Sequence, residues 1–102
     1  MKRSQDYLNV MRKIQKEPKF SQRKMAKSLG FSLGKLNYCI KALQEKGLVK
    51  IQNFKNQNNK IEYIQYVLTP RGISFRTKLT VDFMKRKMEE FDELKKEIEK
   101  GE

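Results

Sequence analysis

The chain has 102 residues, room for one small domain with an appended element, and carries 24 Lys and Arg against 12 Asp and Glu, a net charge of +12. It has no histidine and a single cysteine, Cys39, which leaves no plausible zinc site, no cysteine–histidine pair for nucleophilic catalysis and no internal disulfide. The excess charge is segregated: residues 1–60 hold 15 basic and 3 acidic side chains, whereas residues 61–102 hold nine of each, so the footprint of a polyanion binder falls on the first sixty residues.

Ser4 to Lys16 reads as a first helix, with Tyr7, Leu8, Met11 and Ile14 along one side and Val10 at its edge. It should end before Pro18, because a residue that precedes proline avoids helical geometry. Its simplest role is to cover the segment that follows.

Residues 21–47 hold two short helices separated by a turn. Ser21 suits the cap of the first, Met25 and Leu29 share one side, and Gly30 can take the left-handed conformation that ends it. Ser32 caps the second, whose Leu36, Ile40 and Leu43 recur with helical spacing and should be core; Gly47 stops it. This layout is a helix-turn-helix, whose second helix enters the DNA major groove. Its outer face would present Gly34, Lys35, Asn37, Tyr38, Lys41 and Glu45. Lysines can bond phosphates or guanine acceptors, Asn37 can pair bidentately with adenine, and Tyr38 can reach phosphate or a thymine methyl. Gly34 would remove a side chain where backbone and DNA meet. Arg23 and Lys24, on the first helix of the pair, suit phosphate contacts, with Lys19 and Lys27 nearby. Cys39, beside the core stripe, reads as a small buried hydrophobe.

After Gly47 the period changes to that of strands. LVKIQNF at 48–54 and IEYIQYVL at 61–68 are rich in β-formers, and the polar KNQNNK between them is a turn. A hairpin placed directly after a recognition helix is a wing, and Lys55, Asn58 and Lys60 stand where it would touch the minor groove or backbone. Thr69 and Pro70 suit the cap and first position of a final helix of some thirty residues. Met84, Phe91 and Ile98 fall seven apart, Val81 and Met88 make a parallel row, and Leu94 lies between. Such a stripe is too long to bury against so small a body and should pair with another copy, although Lys87 interrupts the heptad.

Residues 21–49, SQRKMAKSLGFSLGKLNYCIKALQEKGLV, resemble the helix-turn-helix and wing entry of the MarR family of winged-helix transcription regulators. The run LGKLNYCIKALQEKGLVKIQNFKN, the LTPRG at 68–72 and LTVDFMKRKMEEFDELKKEIE at 79–99 are similar to one branch, the short MarR-family regulators associated with bacterial exopolysaccharide (EPS) gene clusters. The resemblance implies a dimer that binds double-stranded DNA and regulates transcription, with Ser32, Lys35, Asn37, Tyr38 and Lys41 as recognition-helix contacts and 55–60 as the wing. The chain is shorter than the wider family pattern, and its wing carries lysine and asparagine where an arginine often stands near the tip.

The expected fold class is thus mostly α with a small β-hairpin: a winged helix-turn-helix domain over 1–70 (helix-turn-helix 21–47, wing hairpin 48–68) and a coiled-coil-like dimerisation helix over 71–102. The expected function is a DNA-binding regulator, most simply a repressor, acting as a homodimer on a palindromic operator. The alternative is a winged-helix module that binds an acidic protein partner. A solvated lysine face, an ordinary exposed loop and a helix folded back on its own domain stay open as readings of the separate parts. No enzyme, cofactor or metal is expected, since no phosphate-cradling glycine loop precedes a lysine and no metal-ligand cluster is present. With no membrane-length apolar run and no signal-peptide core, a cytoplasmic protein is expected, nucleoid-associated when bound to DNA. The sequence identifies no small-molecule effector.

Overall fold

A computed structural model describes residues 2–19, 21–56 and 61–101. In chain order the elements are α1 (Lys2–Lys16), α2 (Gln22–Leu29), α3 (Leu33–Glu45), β1 (Val49–Asn56), β2 (Ile61–Leu68) and α4 (Pro70–Glu99). The two strands form one antiparallel sheet, and the whole is a winged helix-turn-helix followed by a long C-terminal helix.

Local chemistry sets the helix ends. The Ser21 hydroxyl accepts the backbone N–H of Lys24 at 3.2 Å and that of Ser32 accepts from Lys35 at 3.1 Å, each satisfying a first-turn donor with no partner inside its helix. Gly30 sits at φ 73°, and the Phe31 N–H returns to the Ala26 carbonyl at 2.8 Å, closing α2 by a left-handed turn. Gly47 has the same φ and follows the cap residue of α3, Lys46. The turn between α2 and α3 is therefore short because both of its sides are capped at once.

The core is built where these faces meet. Leu36, Ile40 and Leu43 of α3 are buried, as are Met25 and Ala26 of α2 and Cys39 beside them. Each large aliphatic side chain buried here stabilises by roughly 1.5–3 kcal/mol. Val10, expected at the edge of the α1 stripe, is fully buried instead. The reason is tertiary: α1 is packed by α2, α3, β2 and α4, so the arc of it that must be apolar is wider than one stripe. α1 also begins at Lys2, two residues before the expected start.

The hairpin pairs from Val49 with Leu68 to Asn56 with Ile61. β1 thus runs two residues beyond the expected 54, which places Lys55 in the strand rather than the loop.

α4 is seated on the joint between α3 and β1. Thr69 donates its N–H to the Leu48 carbonyl at 3.0 Å and its hydroxyl to the Gly47 carbonyl at 2.7 Å, while that hydroxyl accepts the Gly72 N–H at 3.0 Å. Gly72 lies against the same carbonyl: a Cβ there would stand 1.9 Å from the Leu48 oxygen. Leu79 is buried, and Phe75 and Phe83 pack on the core. Beyond Phe83 every described residue of α4 is exposed. The helix, about 45 Å long at 1.5 Å per residue, gives the molecule its 66 × 26 × 26 Å dimensions.

Candidate nucleic-acid interface

One side of α3 is consumed by the core and the other is open. Ser32, Gly34, Lys35, Asn37, Tyr38, Lys41 and Glu45 are all exposed, with Tyr38 at 55%. Arg23 and Lys24 are exposed in the first turn of the neighbouring α2. Gly34 lies inside α3, where a Cβ would meet no atom within 4 Å. Packing within the protomer therefore does not require glycine, although it costs a helix interior about 1 kcal/mol relative to alanine.

The start of α1 reaches this face, which nothing in the sequence pattern announced. The Lys35 ammonium lies 3.2 Å from an Asp6 carboxylate oxygen and 4.3 Å from the centre of the Phe31 ring. The Arg3 guanidinium stands 5.8 Å from the centre of the Tyr38 ring, within cation–π range. An ion pair this exposed contributes about 0–1 kcal/mol to stability. Its larger consequence is positional, since Asp6 and Phe31 hold the Lys35 charge at the N-terminal end of α3. Asp6 is one of three acidic residues among the first sixty, and it offsets one of the cations on this face.

Cys39 lies on the opposite, buried side of α3. Burial pushes its thiol up from the ordinary value of 9.0, Asp6 adds to the rise and Lys35 opposes it, so the sulfur stays a neutral packing group at neutral pH.

The wing is tied to α2 at its root, where the Gln22 side-chain amide donates to the Tyr66 hydroxyl at 2.7 Å. Of the three expected wing contacts, Lys55 stands in β1, its Cα opposite that of Glu62. Asn58 and Lys60 lie outside the described residues.

On α4 the expected pairing residues form an exposed apolar row: Val81, Met84, Met88, Phe91, Leu94 and Ile98 are 43–76% accessible. Lys87, which interrupts the heptad, has partners of its own on α4. Its ammonium pairs with Glu90 at 3.4 Å and lies 5.5 Å from the Phe83 ring centre. Among the described residues no helix is long and apolar enough to cross a membrane.

Residues 8–50, from α1 to the start of β1, match the winged helix-turn-helix DNA-binding family. No curated protein matches the chain in sequence. Among solved structures, MarR of Staphylococcus aureus in complex with salicylate and kanamycin superposes with a TM-score of 0.64 at 17% identity, covering 86% of this chain and 57% of that one. The PcaV transcriptional regulator of Streptomyces coelicolor with its natural ligand gives 0.60 at 16% identity, covering 95% and 75%. A MarR mutant from E. coli complexed with operator DNA gives 0.54 at 23% identity, covering 72% and 51%. The chain thus has the fold of MarR-family regulators and spans between half and three quarters of the length of these three.

Proposed function

We propose that the protein is a sequence-specific transcription regulator that binds double-stranded DNA as a homodimer, with one α3 in each of two successive major grooves of a palindromic operator. The observation that carries this reading is the open face of α3. It offers lysine, asparagine and tyrosine side chains beside exposed cations of α2, in the part of the chain that holds all the excess positive charge. The winged helix-turn-helix match over 8–50 and the fold shared with regulators, one of them complexed with operator DNA, support it. Residues 1–70 form the DNA-binding domain and 71–102 the dimerisation helix. Occupancy of the operator represses by blocking polymerase, in the bacterial cytoplasm, and the resemblance to the exopolysaccharide-associated branch makes such genes the first targets to examine. The protein works by binding rather than by catalysis.

Lys35, Lys41, Arg23, Lys24 and the wing lysines supply affinity through phosphate contacts, and Asn37 and Tyr38 supply base selectivity. A gel-shift titration against duplex DNA from its own upstream region, with a random duplex and a salt series alongside, tests the whole reading. Preference for the upstream fragment, lost steeply with salt, is the expected result; absence of any shift at low salt would turn the interpretation to an acidic protein partner.

The division of labour has its own test. Lys41→Ala should weaken binding to every duplex and reduce the salt slope by about 0.9 per protomer, about 1.8 for the dimer. Asn37→Ala should instead remove about 1–3 kcal/mol of discrimination at one base pair while leaving random-duplex binding nearly intact. Equal loss on both duplexes from both variants would refute the division.

Asp6→Asn should act in the other direction. Freed of its carboxylate, Lys35 becomes one more available cation in each protomer, so random-duplex affinity rises and the salt slope steepens by about 0.9 per protomer, about 1.8 for the dimer. Fluorescence anisotropy on a random duplex reads both; unchanged affinity and slope would mean that Asp6 leaves Lys35 available already.

A further inference from the structure

The charge along α4 is divided as sharply as that of the whole chain. Residues 70–87 carry six Lys and Arg and one Asp, and residues 88–99 carry six Asp and Glu and two Lys. Between residues 73 and 99 there is no glycine or proline, and the helix is continuous to Glu99, so its acidic half does not fold back onto its own basic half. The apolar row that needs cover spans the boundary between the two halves. We infer that α4 pairs with α4 of a second copy in antiparallel orientation, each basic N-terminal half lying along the acidic C-terminal half of the other. The inference rests on the homodimer proposed above and adds the direction of its helices.

The distribution of charge selects this orientation, and the spacing of the row accommodates it. A parallel pair would set basic half beside basic half and acidic half beside acidic half, whereas the antiparallel pair sets the stretch with Arg71, Arg76 and Lys78 along the stretch with Asp92, Glu93, Glu97 and Glu99; Lys85, Arg86 and Lys87, at the centre, meet their own copies in either arrangement. The central four residues of the row are spaced alike from either end, Val81, Met84, Met88 and Phe91 stepping by three, four and three, while Leu94 and Ile98 extend it on one side only. Turned end for end about residue 86, the row places Val81 of one copy opposite Phe91 of the other and Met84 opposite Met88. Lys87, close to that centre, has a carboxylate in its own chain, Glu90 at 3.4 Å. The helix macrodipoles align favourably in the same arrangement.

The first turns of α4 have the opposite face committed to the body through Gly72, Phe75 and Leu79. An antiparallel partner therefore carries its own winged helix at the far end of the pair. The two DNA-binding bodies are held apart by the rod, not side by side at one end.

The test uses the full chain with a spin label on Glu99→Cys, an exposed position near the end of α4. Cys39 stays in place because it is 3% accessible and shielded from the reagent. Thirteen residues beyond a centre at 86 is about 20 Å along the axis on each side, so antiparallel pairing puts the two labels about 40 Å apart. Parallel helices 8–10 Å apart would hold them within about 20 Å. Light scattering on the same labelled sample gives the mass. A dimer with a dominant label distance beyond about 25 Å is the expected result. A dimer without that distance overturns the antiparallel orientation and leaves the homodimer standing, and a monomer overturns both.

Discussion

Gly72→Ala should destabilise the protein by about 3 kcal/mol, at the upper end of what overpacking usually costs. The added methyl would stand 1.9 Å from the Leu48 carbonyl oxygen, 2.9 Å from its carbon and 3.3 Å from its Cα. All three are backbone atoms, so no side chain can rotate aside. Either α4 lifts from the α3–β1 joint or the joint itself moves. Lifting α4 would also break the hydrogen bonds by which Thr69 holds the Gly47 and Leu48 carbonyls. Thermal unfolding followed by circular dichroism should show a fall in Tm of roughly 12 °C or more. A Tm equal to that of the parent would show that the seat is not close-packed. Gly34→Ala is the informative contrast. Its methyl meets nothing within 4 Å, so Tm should rise with about 1 kcal/mol of helix stabilisation. If the backbone of α3 approaches DNA there, affinity should fall in the same variant. One glycine then serves the fold and the other serves the ligand.

These two glycines also mark how far the sequence could be read. Gly30, Ser21, Ser32, Thr69 and Pro70 announce helix ends because capping depends on residues within a few positions of one another. The core stripe of α3 is equally legible, since periodicity alone separates Leu36, Ile40 and Leu43 from the outer face. The strand bounds are legible to within two residues, because cross-strand pairing, not composition, decides how far β1 runs. What was hidden is tertiary. That Gly72 meets Leu48, 24 positions earlier, depends on how α4 docks and leaves no local trace. The approach of Arg3 and Asp6 to Tyr38 and Lys35 depends on where α1 crosses α3, and Val10 is buried because four elements surround α1. Lys87 is an intermediate case: the broken heptad is visible in the sequence, but its contacts with Glu90 and Phe83 are not.

Phe91→Glu should convert the protein to a monomer and lower its affinity for a duplex with two half-sites by about 100-fold or more. The side chain is 65% accessible in the protomer, so the substitution removes little from the fold of one copy, and any fall in Tm should reflect the lost association and make Tm independent of protein concentration. In a dimer the same position is covered by apolar groups, and a carboxylate placed there must be desolvated without a partner, a cost of several kcal/mol. Loss of the dimer then removes the linkage that makes the second half-site an intramolecular event, which is commonly a factor of about 10²–10⁴ in affinity. The added negative charge is far from α3 and would act on DNA binding mainly through net charge, so a duplex with a single half-site serves as the control. Its affinity should be nearly the same for variant and parent. Light scattering should give the monomer mass, and parallel loss on single and double half-sites would locate the effect in the DNA-binding body instead of the dimer. A Phe91→Glu protein that remains dimeric and binds the double site as the parent does would show that the exposed row on α4 is not the surface that joins the copies.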